Sequence, residues 1–88
     1  MTTYSVEFTP QAEADLARLD KTIAQQVTNK IDWLSQSIEY TIPAPLKGEF
    51  KGKYKLRVSD WRVIYSFEHS TRIITIYAIK HRREVYKI

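Results

Sequence analysis

The feature that most constrains the fold is a change of hydrophobic period partway along the chain. Residues 10–38 place apolar side chains at helical spacing, whereas residues 54–79 form short runs rich in β-branched and aromatic residues. Because the two periods suit different elements, the sequence predicts a helical part followed by a sheet-forming part. Residues 4–8 alternate apolar and polar side chains and are predicted to form a first strand.

Two capping signals divide the helical part. Thr9 precedes Pro10, which fits a first helical turn, and Asp20 precedes a second apolar stripe. These signals predict two consecutive helices that pack as a hairpin on one face of a sheet. Trp33 lies beside the second stripe, and we expect it to pack in the core or against a helix rather than to be a stacking platform.

Pro43 and Pro45 fall in a segment that cannot continue a helix, and it is predicted to be a loop. The strands that follow are separated only by Ser59-Asp60 and by residues 69–72, which predicts an antiparallel meander. The expected fold is a single α+β domain over residues 1–88, with the order β-α-α-β-β-β and a four-stranded, mainly antiparallel sheet.

Composition excludes several classes of site. There is no cysteine, so disulfides, thiol catalysis and thiolate metal sites are excluded. His69 and His81 are the only imidazoles and lack the spacing of paired ligands, so neither a metal nor a cofactor is expected. The N-terminus has no signal-peptide pattern and no apolar run is long enough to span a bilayer, so a cytoplasmic protein is expected.

Charge is distributed unequally between the two halves. Residues 1–46 carry three cations and six acids, whereas residues 47–88 carry eleven cations and four acids. The second half therefore has a net charge of +7, which favours a polyanionic partner. A solvated, solubilising face is the alternative interpretation.

The cations of the first meander hairpin are predicted to cluster. Strand alternation places Lys53, Lys55 and Arg57 on one face, and Arg62 begins the neighbouring strand. This face is the one that the helices leave exposed. Cations that only protect the outer face of a sheet would give the same pattern.

The C-terminal tail adds a second cluster of reactive side chains. Within eight residues it carries four cations, an imidazole and a phenol: Lys80, His81, Arg82, Arg83, Tyr86 and Lys87. These groups can hold phosphate, exchange protons and stack on a base, which RNA cleavage by the 2′-hydroxyl requires. A basic strand without catalytic function remains the alternative.

The chain resembles the RelE/ParE superfamily of toxins from toxin–antitoxin systems. The resemblance covers nearly the whole chain and is most specific over residues 46–48, 54–65 and 79–86. It agrees with the β-α-α-β-β-β order. In the RelE branch, it implies a ribosome-dependent endoribonuclease that cuts mRNA in the ribosomal A site beside rRNA, inhibits translation and is restrained by a cognate antitoxin.

The resemblance also implies roles for particular residues. Arg62 would contact the scissile phosphate, Lys55 and Arg57 would be paired cations, and Tyr86 would stack on the substrate base. His81 or Arg82 would be the general acid or charge-stabilising group, and Lys55 or Tyr86 the general base. Further RNA contacts are expected from four lysine and arginine residues: Lys53, Lys80, Arg83 and Lys87.

Two other functions remain open. A ParE-like inhibitor of DNA gyrase would share the scaffold without cutting RNA, although its members usually lack the full basic and tyrosine set. A plain RNA-binding module is less favoured, because the sequence has no RNP-type aromatic motif, GXXG loop or zinc knuckle. The hairpin at Val58 to Trp61 is shorter than in some RelE toxins, and we do not expect the extra C-terminal helix that those members have after Tyr86.

Overall fold

The two predicted helices form a hairpin whose caps are those that the sequence indicates. The structure, a computed structural model, describes residues 3–85. Helix α1 spans Pro10–Arg18, and Thr9 Oγ1 accepts a hydrogen bond from the Ala12 amide at 3.1 Å. Helix α2 spans Lys21–Ser37, and Asp20 Oδ1 accepts from the Ile23 amide at 3.0 Å. None of the helices within residues 3–85 is long and apolar enough to cross a membrane.

The sheet has five strands in the order β1-β5-β4-β3-β2, one more than predicted. Their bounds are Ser5–Phe8 for β1, Ala44–Pro45 for β2, Tyr54–Val58 for β3, Trp61–Glu68 for β4 and Ile73–His81 for β5. Strands β2 to β5 pair antiparallel, whereas β1 pairs parallel with β5. The predicted α+β fold with a helical hairpin on a mainly antiparallel sheet is confirmed.

The extra strand lies in the segment predicted to be only a loop. Ala44 pairs with Lys55 and Pro45 pairs with Tyr54, which places β2 at the sheet edge. Pro45 has no amide hydrogen to donate, and an edge position tolerates that loss. A short third helix, α3, spans Arg82–Val85 directly after β5.

The main core lies between the helical hairpin and one face of the sheet. It joins fully buried helix residues such as Val27 and Leu34 to strand residues such as Val63, Ile74 and Ile76. The opposite face is less open than the sequence suggested, because Ile64, Ala78 and Val85 form a second buried cluster there. Leu46, Phe50 and Tyr77 pack against this second cluster, so the turn near residue 50 and α3 cover part of that face.

A β-bulge in β5 decides which of its C-terminal residues face which side. Ile64 pairs with Ala78 and Tyr65 pairs with Ile76, so Tyr77 is an extra residue that is not paired with a residue of β4. Beyond the bulge the alternation is reset, since Ile79 joins the main core while Ala78 joins the second cluster. Lys80 therefore lies on the face opposite the helices, and His81 lies on the helix side.

Candidate nucleic-acid interface

Three cations stand in register across the face opposite the helices. Arg57 of β3 pairs with Arg62 of β4, which pairs with Lys80 of β5. Paired positions in antiparallel strands have their Cα atoms about 4.5–5.5 Å apart. These three residues, here called the cation row, form a band of positive charge suited to an anionic chain such as RNA phosphate.

The members of the cation row differ in exposure. Arg57 is exposed and Lys80 is half-buried, whereas Arg62 is only 5% exposed. The Arg62 Nη1 donates to the carbonyl oxygens of Ser59 at 3.0 Å and Trp61 at 2.8 Å, both in the β3–β4 hairpin. Arg62, at the centre of the row, is therefore a buried charge held by hydrogen bonds to the hairpin, and the guanidinium of Arg57 is exposed beside it.

Two lysines extend the positive face along β3. Lys55 is half-buried, pairs with Ile64 and lies two residues before Arg57 on the same face. The Lys53 Nζ lies 4.7 Å from the centre of the Tyr77 ring, which is a cation–π contact on this face. The predicted common face of Lys53, Lys55 and Arg57 is therefore present.

His81 does not lie with the cation row. It is in register with Trp61, and the two rings meet edge to face with their centroids 5.3 Å apart. Trp61 packs against the main core, so this contact places the imidazole on the helix side of the sheet. His81 Nδ1 accepts a hydrogen bond from the Arg83 amide at 3.3 Å, which fixes the ring at the start of α3.

Arg82 lies at the hairpin end of the site. Its amide donates to the Asp60 carbonyl at 2.8 Å, and its Nε lies 3.9 Å from Asp60 Oδ1. Both side chains are exposed, so this ion pair is weak and would exchange for a phosphate at low cost. Arg83 is also exposed on α3, whereas Tyr86 and Lys87 lie outside the described residues.

A buried carboxylate that was not predicted from the sequence supports this site. Asp15 on α1 is 5% exposed, and its Oδ2 accepts from the Ile79 amide at 2.9 Å, one residue before Lys80. Its Oδ1 accepts from Gln11 and Arg18 on the same helix. The sequence indicates only the contacts within α1, through the helical spacing of Gln11, Asp15 and Arg18. That spacing does not reveal the contact of Asp15 with β5.

Trp33 is more exposed than predicted. It is 44% exposed rather than part of the core, and the Lys30 Nζ lies 4.0 Å from the centre of its ring. The side chain borders an open groove at the edge of β3, which Arg57 also lines. Among the residues that the structure describes, no group of three or more histidine, aspartate or glutamate side chains is placed to hold a metal ion.

Tyr65 lies in the main core rather than in the cation row, and its burial changes its pKa. Burial, with a smaller contribution from neighbouring Tyr54, raises the pKa of Tyr65 to about 12. Tyr65 is 1% exposed and belongs to the main core. The phenol therefore stays neutral at physiological pH and has a structural role.

Comparison with known proteins identifies the family. The family model described as the ParE toxin of type II toxin–antitoxin systems matches residues 6–86. No curated protein sequence matches the chain. Solved structures of similar fold come from several toxin–antitoxin systems.

Three of these structures illustrate the range. A chain of the toxin–antitoxin complex RelBE2 from Mycobacterium tuberculosis is 28% identical, with a TM-score of 0.81 over 93% of this chain and 94% of that one. A chain of the archaeal RelE–RelB complex from Pyrococcus horikoshii is 29% identical, with a TM-score of 0.73 over 92% and 97%. The YoeB/ParE toxin from Agrobacterium tumefaciens is 18% identical, with a TM-score of 0.71 over 88% and 96%, and shows the shared fold. With the family match spanning almost the whole chain, this protein belongs to the ParE toxin family of the RelE/ParE superfamily and is a toxin of the type II toxin–antitoxin class.

Proposed function

We propose that this toxin is a ribosome-dependent mRNA endoribonuclease that cleaves in the ribosomal A site and inhibits translation. The single observation that carries the proposal is the cation row of Arg57, Arg62 and Lys80, continued by Lys55. Cations aligned across three strands suit a run of phosphate groups better than a protein surface of mixed charge. RNA phosphate supplies the complementary charge.

The reaction makes three demands on the protein. The 2′-oxygen of the RNA attacks the adjacent phosphorus, the bond to the 5′-oxygen breaks, and the products are a 2′,3′-cyclic phosphate and a 5′-hydroxyl. The protein must align the attacking oxygen, stabilise the pentacoordinate phosphorus and move one proton off the 2′-oxygen and one onto the 5′-oxygen. None of these demands calls for a metal or another cofactor.

The geometry supports particular assignments. Arg57 and Lys80 would contact phosphate oxygens, while buried Arg62 would contribute its charge at the point between them. Lys55 or Tyr86 would accept the proton from the 2′-hydroxyl. Arg82 is better placed than His81 to act at the leaving oxygen, because the His81 ring packs on Trp61 on the helix side. Lys53, Arg83 and Lys87 would bind flanking mRNA or rRNA.

The proposal includes an antitoxin as partner. The similar chains from Mycobacterium tuberculosis and Pyrococcus horikoshii belong to the toxin–antitoxin complex RelBE2 and the RelE–RelB complex. The positive face would suit an acidic antitoxin segment, which would neutralise the cations and shield them from RNA. Cytoplasmic action follows from the proposed target, since ribosomes and mRNA are there.

Charge-neutralising variants on translating ribosomes test the proposal. We expect Arg57→Gln and Lys80→Gln each to reduce mRNA cleavage and growth arrest at least about tenfold, since each removes a phosphate contact made in the transition state. Lys21→Gln, a distant exposed cation at the start of α2, is the matched control and should remain toxic. Arg62→Ala is less informative because it also removes two hydrogen bonds to the hairpin.

A second function is favoured by one observation, the match to a family named for ParE. In this alternative the toxin inhibits DNA gyrase and does not cut RNA. Primer extension on mRNA from arrested cells separates the two, because codon-position cuts require the nuclease. Gyrase-dependent DNA breaks without mRNA cuts would support the alternative and contradict the nuclease proposal.

A further inference from the structure

A second candidate site lies at the edge of the sheet beside α2. Among the described residues, strand β2 pairs only with Tyr54 and Lys55, and none of the strands within residues 3–85 lies on the outer side of the Arg57 end of β3. An open groove of about 550 Å³ lies between this edge and α2. Its polar and aromatic lining residues are Gln26, Asn29, Lys30, Trp33, Arg57 and Ser59.

The chemistry of this groove suits one kind of ligand. Two cations can hold phosphate, two amides and a hydroxyl can donate to or accept from a base edge, and an indole offers a stacking surface. None of the residues lining the groove is a carboxylate. An aromatic ring between cations, without acids, is the combination by which proteins bind single-stranded nucleic acid.

The groove is continuous with the cation row. Arg57 lines the groove and is also the exposed end of the row, so a chain held by Arg57 can extend in either direction. A neighbouring part of the same edge, lined by Lys55, Leu56 and Ile42 among others, also includes Lys30, Trp33 and Arg57. Cationic residues therefore follow one another from Lys80 through the cation row and around the edge of β3 to Lys30.

We infer that this groove is a subsite for a nucleotide flanking the cleavage position, with Trp33 stacking on its base and Lys30 and Arg57 holding its phosphate. The inference rests on the proposed RNA-cleaving function and adds a determinant of which sequences are cut. The contact between Lys30 and Trp33 holds the indole in place while leaving 44% of the residue exposed. Base stacking on the indole would replace water at an apolar surface that the fold leaves open.

Binding of uncleavable RNA by the full chain tests the inference. A hexanucleotide with 2′-O-methyl groups lacks the attacking hydroxyl and remains intact, and a trinucleotide of the same chemistry is too short to span both regions. We expect Trp33→Leu to weaken hexanucleotide binding about 5- to 100-fold, the loss of one stacked base, with trinucleotide binding retained. Trp33→Phe keeps an aromatic surface and should retain most of the affinity.

The matched control is Tyr40→Leu. Tyr40 is 88% exposed, yet it lines neither part of the groove. This variant removes an exposed ring of similar character and should bind the hexanucleotide as the unmodified protein does.

In a Trp61→Phe background Trp33 is the only tryptophan, and its fluorescence should be quenched by the hexanucleotide but not by the trinucleotide.

An abasic nucleotide identifies the stacked position. At one position of the hexanucleotide, removal of the base should weaken binding to the unmodified protein as much as Trp33→Leu does, and should cost the variant nothing further. Equal hexanucleotide affinity of Trp33→Leu and the unmodified protein would overturn the subsite. The subsite would also be overturned if removal of the base weakened binding equally in the unmodified protein and in Trp33→Leu.

Three further outcomes distinguish failure of this inference from failure of the function on which it rests. If the unmodified protein cuts mRNA on ribosomes while Trp33→Leu binds RNA normally, the subsite is wrong and the nuclease stands. If the unmodified protein neither cuts mRNA nor binds the hexanucleotide, both fail. If Trp33→Leu instead loses affinity only for a synthetic amphipathic peptide rich in glutamate, the groove is a protein-docking site and the inference is overturned.

Discussion

Replacing Asp15 with alanine tests how the helical hairpin positions the site. The carboxylate is buried and accepts a hydrogen bond from the Ile79 amide at 2.9 Å, at the point where β5 extends beyond its pairing with β1. In Asp15→Ala this amide loses its acceptor, which costs about 1–3 kcal/mol for a buried donor. Loss of the bond from Gln11 adds about 0.5–1.5 kcal/mol.

The ion pair with Arg18 contributes little to this sum. The Arg18 side chain is 71% exposed, so solvent screens the pair and its contribution is about 0–1 kcal/mol. The total expected for Asp15→Ala is therefore about 1.5–5.5 kcal/mol, a large part of the stability of a domain of this size. For such a domain each 1 kcal/mol lowers Tm by about 4–8 °C.

Urea unfolding of three variants checks the reasoning. Asp15→Asn keeps an oxygen that can accept from Ile79 and should lose about half as much unfolding free energy as Asp15→Ala. Arg18→Ala is the control for the ion pair and should lose no more than about 1 kcal/mol. The reasoning is refuted if Asp15→Ala is no less stable than Arg18→Ala, because the bond to Ile79 would then contribute nothing.

Three further outcomes follow from the site and the core. Lys80→Gln should lower the dependence of log affinity for single-stranded RNA on log salt by about 0.7, the value for one phosphate contact, and an unchanged slope would remove Lys80 from the interface. His81→Ala should keep most mRNA cleavage, whereas Arg82→Ala should lose about 10²-fold or more, and the reverse order in a ribosome cleavage assay would contradict the assignment of Arg82. Because burial raises the pKa of Tyr65 to about 12 in the folded protein, the phenol of the unfolded state ionises first as the pH rises. Urea unfolding should therefore show that the unfolding free energy falls between pH 10 and 12 by up to about 2.7 kcal/mol more than in Tyr65→Phe. Equal pH dependence of the two proteins would argue against burial of the phenol.

Local signals in the sequence were sufficient for most of the elements. Thr9 and Asp20 each cap a helix through a bond to an amide three residues away, so the sequence alone predicts both helix starts. Strand β3 and strand β4 have the predicted bounds, because apolar alternation and the short break at Ser59 are also local. These features depend on neighbours in sequence, which is why a single chain reveals them.

Features that depend on distant partners were not predictable in this way. The two-residue strand β2 exists only because Lys55 and Tyr54 lie beside it. Asp15 binds the amide of a residue 64 positions away. Burial of Arg62 likewise reflects the hairpin carbonyls that receive its guanidinium, and no pattern in β4 indicates them.

The bulge at Tyr77 has the largest consequence for the site. Without it, strict alternation from Ile76 would bring His81 to the face of Arg57 and turn Lys80 toward the helices. One extra residue exchanges the two, so that the structure puts a lysine in the cation row and the imidazole against Trp61. A pattern of apolar residues does not reveal a bulge, because β5 is apolar on both faces at this point.

The central claim is that the cation row cleaves RNA, and mapping RNA ends on purified translating ribosomes tests it most directly. With the unmodified toxin, we expect cuts within A-site codons that leave a 2′,3′-cyclic phosphate and a 5′-hydroxyl, and we expect these cuts to be lost in Arg57→Gln combined with Lys80→Gln but kept in Lys21→Gln. Intact mRNA in the presence of active, folded toxin would contradict the account, as would cleavage that is equally strong without the two cations.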